Sequence, residues 1–177
     1  MVKRSQRKKI VKDVLLFLIK FNLLLTPFYV IIYLDLSFYP LQIAFTNFLG
    51  SILNSLGYHV SASDFLLFVG ENGIPIDISR DCIGWKGMYS LFALVFATPS
   101  ELKSKLKFLS IGLPFMFLVN ILRIIITLII GLNLGLHYLE FIHTFLWQQV
   151  MIIVLISAWY LWLRKGKINI EKMRNIL

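Results

Sequence analysis

Long apolar runs alternate with short basic and polar segments along this chain. The apolar runs cover residues 14–34, 83–97, 108–131 and 141–163. Three of them reach the roughly 20 residues that a helix needs to cross a bilayer, and the run at 83–97 is shorter. The pattern predicts four transmembrane helices, and Pro27 is expected to kink the first.

Residues 36–57 have a different, amphipathic pattern. One predicted helix face is apolar and consists of Leu41, Phe45, Phe48, Leu49, Ile52 and Leu56. The other faces hold Gln42, Thr46, Asn47, Ser51, Asn54 and Ser55. This spacing predicts a helix that lies along the membrane interface or packs on the bundle. A fifth span here would turn the lysines of residues 103–107 outward, against the positive-inside rule, so we exclude it.

Residues 58–81 are expected to form a small extracytoplasmic β-hairpin. "GENG" at 70–73 is a turn signal, and Ile74, Ile76 and Ile78 alternate with proline and polar residues. The hairpin leads directly to Cys82. The predicted fold is therefore one all-α polytopic membrane domain, residues 1–177, with an interfacial helix and a small hairpin.

The charges predict the orientation of that domain in the membrane. The chain has 18 Lys and Arg against 9 Asp and Glu, a net charge of +9. Most of the basic residues lie in three patches, at 3–12, 103–107 and 164–174. The positive-inside rule then makes residues 1–13 and 164–177 cytoplasmic. Glu71, Cys82 and His143 face outward, while Lys8, Lys105 and Lys172 face the cytoplasm.

Composition agrees with a membrane protein. The hydrophobic fraction is 58%, above the roughly 45–50% of soluble domains. Basic patches beside apolar segments argue against nucleic-acid binding, so the expected location is the cell membrane. A single cysteine excludes an internal disulfide and cannot build a metal site by itself. No metal or cofactor is expected.

Cys82 stands where the hairpin meets the second predicted span. That span is only about 22 Å long at 1.5 Å per residue, so the thiol is expected slightly below the outer surface. The adjacent helix N-terminus favours a thiolate, which predicts a lowered thiol pKa. Gly84 and Gly87 would let another segment approach this helix closely.

Two further residues from other spans are candidates for the same site. Asn120, Arg123 and Thr127 form a polar stripe on the third span, and an intramembrane arginine usually faces the protein interior or a wet cavity. His143 begins the fourth span on the outer side, with Trp147 one turn later. The three residue types suit attack on an amide. Cys82 would be the thiol nucleophile, His143 the base and Arg123 the cation that stabilises the oxyanion.

Each residue also has an ordinary explanation. A lone cysteine in a membrane helix is usually a small buried hydrophobe. The histidine could be a structural donor, and Arg123 could pair with Asp81 or a helix carbonyl. His59 and His137 are rival bases.

The stretch from "DCIGWKGMYSLFALVFATP" through "NILRIIITL" to the histidine of "FIHTF", roughly residues 75–150, resembles the exosortase/archaeosortase family of membrane cysteine transpeptidases. The resemblance implies Cys82 as the nucleophile, Arg123 as its partner and His143 as the third catalytic residue. One archaeal branch has a second arginine in the third position, so histidine resembles the exosortase form. Asp81, Asn120 and Trp147 are expected to bind substrate.

The resemblance further implies a role in protein sorting. Substrates of such enzymes carry a C-terminal tail with a short motif, a transmembrane helix and a basic cluster. The enzyme cleaves near the motif through an acyl-thioester and passes the acyl group to a lipid or glycan acceptor. Two alternatives are a non-catalytic assembly or carrier protein, for which Cys82→Ala would be silent, and an enzyme acting on a lipid-linked substrate, for which Arg123 would matter more than Cys82.

Overall fold

The computed structural model of the protein describes residues 4–70, 73–135 and 147–174. Most of these residues are helical, as predicted, and they form the helices α1 (Arg4–Tyr33), α2 (Tyr39–Ser55), α3 (Trp85–Ala97), α4 (Leu102–Leu134) and α5 (Trp147–Arg174). A small sheet lies between α2 and α3, with strands β1 (Val60–Ser63), β2 (Leu66–Val69) and β3 (Ile74–Asp77). A 3-10 turn, Arg80–Ile83, joins β3 to α3.

Within the described residues, two helices are long and apolar enough to cross a membrane, at Val11–Tyr33 in α1 and Leu102–Asn133 in α4. Only 6% of the apolar window of α1 is buried within the protein. An apolar helix that leaves its side chains uncovered is suited to lipid rather than to water. The third apolar helix, α3, has 13 residues, about 20 Å. The fourth predicted span starts outside the described residues, and its remainder lies in α5, so the four-span topology stays a prediction.

A helix, α2, is present within the predicted segment 36–57, but its buried face differs in part from the prediction. Phe45, Leu49 and Leu53 are buried as a core face should be, whereas Leu41 is 52% exposed. Gln42 and Thr46, expected on the polar side, are buried instead. They tolerate burial because Gln42 donates to the Ile78 carbonyl at 3.4 Å and Thr46 donates to the Gln42 carbonyl at 2.9 Å.

The predicted hairpin is present as β2 and β3, and the sequence pattern missed β1. The sheet is antiparallel in the order β1-β2-β3, with Leu67 opposite Ala62 on one side and Ile76 on the other. The β1 sequence, VSAS, carries little hydrophobic bulk, so alternation alone could not reveal it. The strand lies against α2, where Asn54 accepts a hydrogen bond from the Val60 N–H and donates one to the Val60 carbonyl.

Two apolar clusters lie along α4. The first joins α2, the sheet and the C-terminal half of α4, and it includes Cys82, Ile83, Ile121, Ile124 and Leu128. The second joins α3, α5 and the N-terminal half of α4, and its buried members are Leu91, Val95, Leu109, Met116 and Trp162. Cys82 therefore lies near the point along α4 where its packing partners change from α2 and the sheet to α3 and α5.

Candidate active site around Cys82

The backbone between β3 and α3 places Cys82 against α4. Ser79 is still extended, and the Cys82 N–H then donates to the Ser79 carbonyl at 3.0 Å to close the 3-10 turn. Gly84 ends this turn with φ +82°, a left-handed conformation that a residue with a side chain adopts only at a cost. Cys82 therefore lies in the turn before α3, and α3 begins at Trp85, two residues after the start predicted for the second span.

Asn120 of α4 holds this turn. Its Nδ2 donates to the Cys82 carbonyl at 2.7 Å, and the residue is fully buried. A Cβ atom on Gly84 would lie 2.6 Å from Asn120 Cγ, so only glycine permits this approach. The expectation that Gly84 allows close approach of another segment is confirmed, and the segment is α4. Within the described part of the chain, the buried Oδ1 of Asn120 accepts no hydrogen bond.

The Cys82 thiol is 7% exposed and its Sγ lies 3.5 Å from the Ser79 hydroxyl oxygen. Burial raises the pKa of the thiol, and this effect outweighs the opposing influences of Ser79 and of the Arg123 charge, which both lower the pKa. The expectation of a lowered pKa is therefore wrong for the protein alone. The physical reason is that desolvation disfavours the thiolate more than these neighbours favour it.

Arg123 lies one helical turn after Asn120 on α4 and is half-buried. Its guanidinium interacts electrostatically with both Cys82 and Asp81. Thr127 donates its hydroxyl to the Arg123 carbonyl at 2.8 Å, so its polar atom is used within the helix. The predicted stripe therefore brings Asn120 and Arg123 to the cysteine, while Thr127 has a local structural bond.

A network of charged side chains borders the turn. Asp81 accepts from Lys86 at 2.6 Å, and Arg80 pairs with Asp35 at 3.0 Å. Arg80 also donates to the Leu36 carbonyl at 2.7 Å. Exposed pairs of this kind contribute little to stability. The two Arg80 contacts join the α1–α2 loop to the turn that carries Cys82, and the Lys86–Asp81 pair joins that turn to α3.

A cleft of about 370 Å³ opens beside this network. It is lined by Asp35, Ser37, Tyr39, Gln42, Phe65, Asp77, Ser79, Arg80 and Asp81. Ser79 belongs both to the cleft wall and to the thiol environment, because its hydroxyl is the hydrogen-bond partner of Cys82. The cleft therefore reaches the immediate neighbourhood of the thiol.

The described residues bring together three of the predicted site residues, Cys82, Asn120 and Arg123, with Asp81 at the rim. His143 and the rival base His137 lie outside the described residues, and Trp147 is the first residue of α5. His59 lies beside Gly70 at the far end of the sheet, about 13 Å along the strands from Asp77. His59 is therefore placed away from the thiol.

Sequence reasoning did not find Ser79 as the hydrogen-bond partner of the thiol. Only the extended conformation at Ser79, followed by a 3-10 turn, brings its hydroxyl back to Cys82.

Among the described residues, no group of three or more His, Cys, Asp or Glu side chains is placed to hold a metal ion.

The fold and the site define a helical membrane protein with a buried thiol near an arginine on a membrane-spanning helix. A comparison with protein families matches residues 11–146 to the transmembrane exosortases. The chain belongs to the transmembrane exosortase family, which confirms the resemblance found in the sequence. Comparison with curated proteins and with solved structures found no match.

Proposed function

We propose that this chain is a membrane-embedded cysteine transpeptidase that cleaves C-terminal sorting tails of surface proteins. The observation that carries the proposal is the arrangement of Cys82, Asn120 and Arg123. The backbone carbonyl of Cys82 accepts a hydrogen bond from the buried side-chain amide of Asn120. The guanidinium of Arg123 interacts electrostatically with the Cys82 thiol. Family membership supports the same chemistry.

The proposed reaction begins when Cys82 Sγ attacks the carbonyl carbon of a substrate peptide bond. Because burial raises the pKa of the thiol, the reaction needs a base, and we assign that role to His143. The thiol proton passes to His143 and then to the departing amine as the C–N bond breaks. Arg123 stabilises the oxyanion that develops on the carbonyl oxygen.

The product of this step is a thioester between Cys82 and the substrate, and the leaving group is the membrane tail. A hydroxyl or amine of a lipid or glycan acceptor then attacks the thioester and restores the thiol. Asn120 is proposed to bind substrate as well. Its buried Oδ1 lacks a donor among the described residues, and a substrate N–H would supply one. Asp81 and Trp147 are proposed to complete the substrate-binding residues.

The proposed topology has four spans and an active site on the extracytoplasmic side. The 33 residues of α4 measure about 50 Å, against a hydrocarbon core of roughly 30 Å. With that core beginning after Lys107, 20 residues reach Thr127, and Arg123 lies about 6 Å inside the outer boundary. That depth suits a peptide bond at the outer end of a substrate helix.

The proposal is tested by co-expression with reporter precursors that carry the C-terminal tails of secreted proteins from the source organism. The readout is the size of each precursor. Cys82→Ala is expected to abolish processing of every precursor that the wild-type chain cleaves. His143→Ala should lower the rate by about 10²–10⁴-fold, which is typical for loss of a general acid–base.

Arg123→Lys provides the matched variant for the arginine, since it retains the charge and loses the planar fork. We expect it to fail as well. Normal processing by Cys82→Ala would overturn the enzyme proposal and favour an assembly or carrier role. Normal processing by Arg123→Lys would limit Arg123 to a point charge or a structural role.

A further inference from the structure

The outer edge of β3 is open beside the candidate site. The Ile78 N–H donates to the Phe65 carbonyl at 2.9 Å, and this bond sets the phase of the antiparallel ladder. Since hydrogen-bonded and non-bonded pairs alternate, Ile74 and Ile76 also direct their backbone groups toward β2. Pro75 and Asp77 direct theirs away from the sheet.

The opposite edge of the sheet is closed by a side chain. Asn54 of α2 accepts from the Val60 N–H at 2.9 Å and donates to the Val60 carbonyl at 2.8 Å. No equivalent bond reaches Asp77, whose N–H and C=O have no hydrogen-bond partner among residues 4–70, 73–135 and 147–174. Pro75 has no N–H, so Asp77 is where this edge can receive another strand.

The open edge leads to the thiol. Asp77 and Ser79 both line the cleft of about 370 Å³, together with Asp35, Tyr39 and Gln42. Ser79 lies two positions after Asp77, about 7 Å along an extended chain, and the Ser79 hydroxyl oxygen is 3.5 Å from Cys82 Sγ. A peptide hydrogen-bonded to Asp77 would thus continue through the cleft toward the nucleophile.

We propose that the substrate binds as an extended strand on the outer edge of β3, through the N–H and C=O of Asp77. The substrate class is an extracytoplasmic polypeptide segment next to the scissile bond, recognised through its main chain. This inference rests on the proposed function. Main-chain recognition fits an enzyme that processes several proteins, because backbone bonds do not depend on side-chain identity.

Asp77→Pro tests the inference because it deletes the outward N–H and leaves the bonds between β2 and β3 intact. Edge strands accept proline where the N–H faces away from the sheet. Asp77→Ala is the matched variant, which removes the carboxylate and retains the N–H. With a reporter precursor that the wild type cleaves and Cys82→Ala does not, we expect Asp77→Pro to process about three- to tenfold more slowly than Asp77→Ala. The thermal midpoints of the two variants, measured in detergent, should be equal.

Hydrogen exchange gives a second measurement with the same precursor. The inactive Cys82→Ala protein should bind it without cleavage, and exchange in the peptide that covers residues 74–79 should slow on binding. Equal processing by Asp77→Pro and Asp77→Ala, or unchanged exchange in that peptide, would overturn strand addition. A dimer that Asp77→Pro dissociates without slowing processing would assign the edge to a second copy of the chain, and would also overturn it. Failure of the proposed function would instead appear as cleavage by Cys82→Ala.

Discussion

Two opposing influences act on the Cys82 thiol. Burial disfavours its ionised form, while the Ser79 hydrogen bond and the Arg123 charge favour that form. Burial is the larger influence, so the resting site holds a protonated thiol. A base and a substrate that reorganises the cleft are then needed for attack. This protects the only cysteine of the chain from chemistry with other partners.

Alkylation of Cys82 by a membrane-permeant iodoacetamide should therefore have a pH midpoint above the roughly 8.5 of a free thiol. Arg123→Ala should raise the midpoint further, and Ser79→Ala should also raise it. Because the folded pKa is raised, the thiol's contribution to stability is present below the unfolded pKa and declines as the pH rises through the folded pKa. A midpoint at or below 8.5 would show a better solvated thiol than the one described here.

At the scale of elements, the sequence predicted the long helices, α2 and the β2–β3 hairpin well, because their periodicity is strong. It failed where tertiary packing decides. β1 was missed since a four-residue strand of small residues has no pattern of its own. The buried face of α2 was partly misassigned because Thr46 bonds within its own helix and Gln42 bonds to the Ile78 carbonyl, a contact that helical spacing does not show.

The candidate site was predictable only in part for the same reason. Helical spacing placed Asn120 and Arg123 on one face of α4. It could not show that Asn120 bonds to the Cys82 carbonyl, 38 residues earlier in the chain. That contact depends on the left-handed Gly84, and a conformation of this kind leaves no periodic trace in the sequence.

Gly84→Ala should disrupt the junction between the 3-10 turn and α3. Gly57→Ala is a matched control, since Gly57 has φ +89° but open space around it. Gly57→Ala should lower the free energy of unfolding by about 1–2 kcal/mol, the cost of a left-handed residue with a side chain. Gly84→Ala should lower the free energy of unfolding by about 1–3 kcal/mol more than the control, because its Cβ overlaps Asn120. Denaturant unfolding in detergent measures both, and equal losses would contradict the tight contact.

For the whole molecule, α4 is the common support of both apolar clusters. Its C-terminal half packs against the sheet and α2, and its N-terminal half packs against α3 and α5. Asn120 lies between these two halves and contacts the turn that carries Cys82. The candidate site is therefore located where the membrane bundle meets the sheet.

This arrangement predicts opposite accessibility for the two ends of the molecule. Ser61 on the sheet and Lys103 at the start of α4 are both exposed. In a Cys82→Ala background, an impermeant maleimide applied to intact cells should label Ser61→Cys and should label Lys103→Cys only after permeabilisation. Labelling of both from the same side would refute the four-span topology and the outward-facing site.

The bond between Asn120 and the Cys82 carbonyl also has a consequence for biosynthesis. The donor is synthesised 38 residues after the acceptor, a delay of about 2–8 s at 5–20 residues per second. During that interval α3 is made and α4 remains incomplete, so Cys82 lacks both the hydrogen bond from Asn120 and the charge of Arg123. A nascent chain that stalls before α4 therefore presents an unburied cysteine to the translocation machinery, and the thiol is shielded only once α4 has been made.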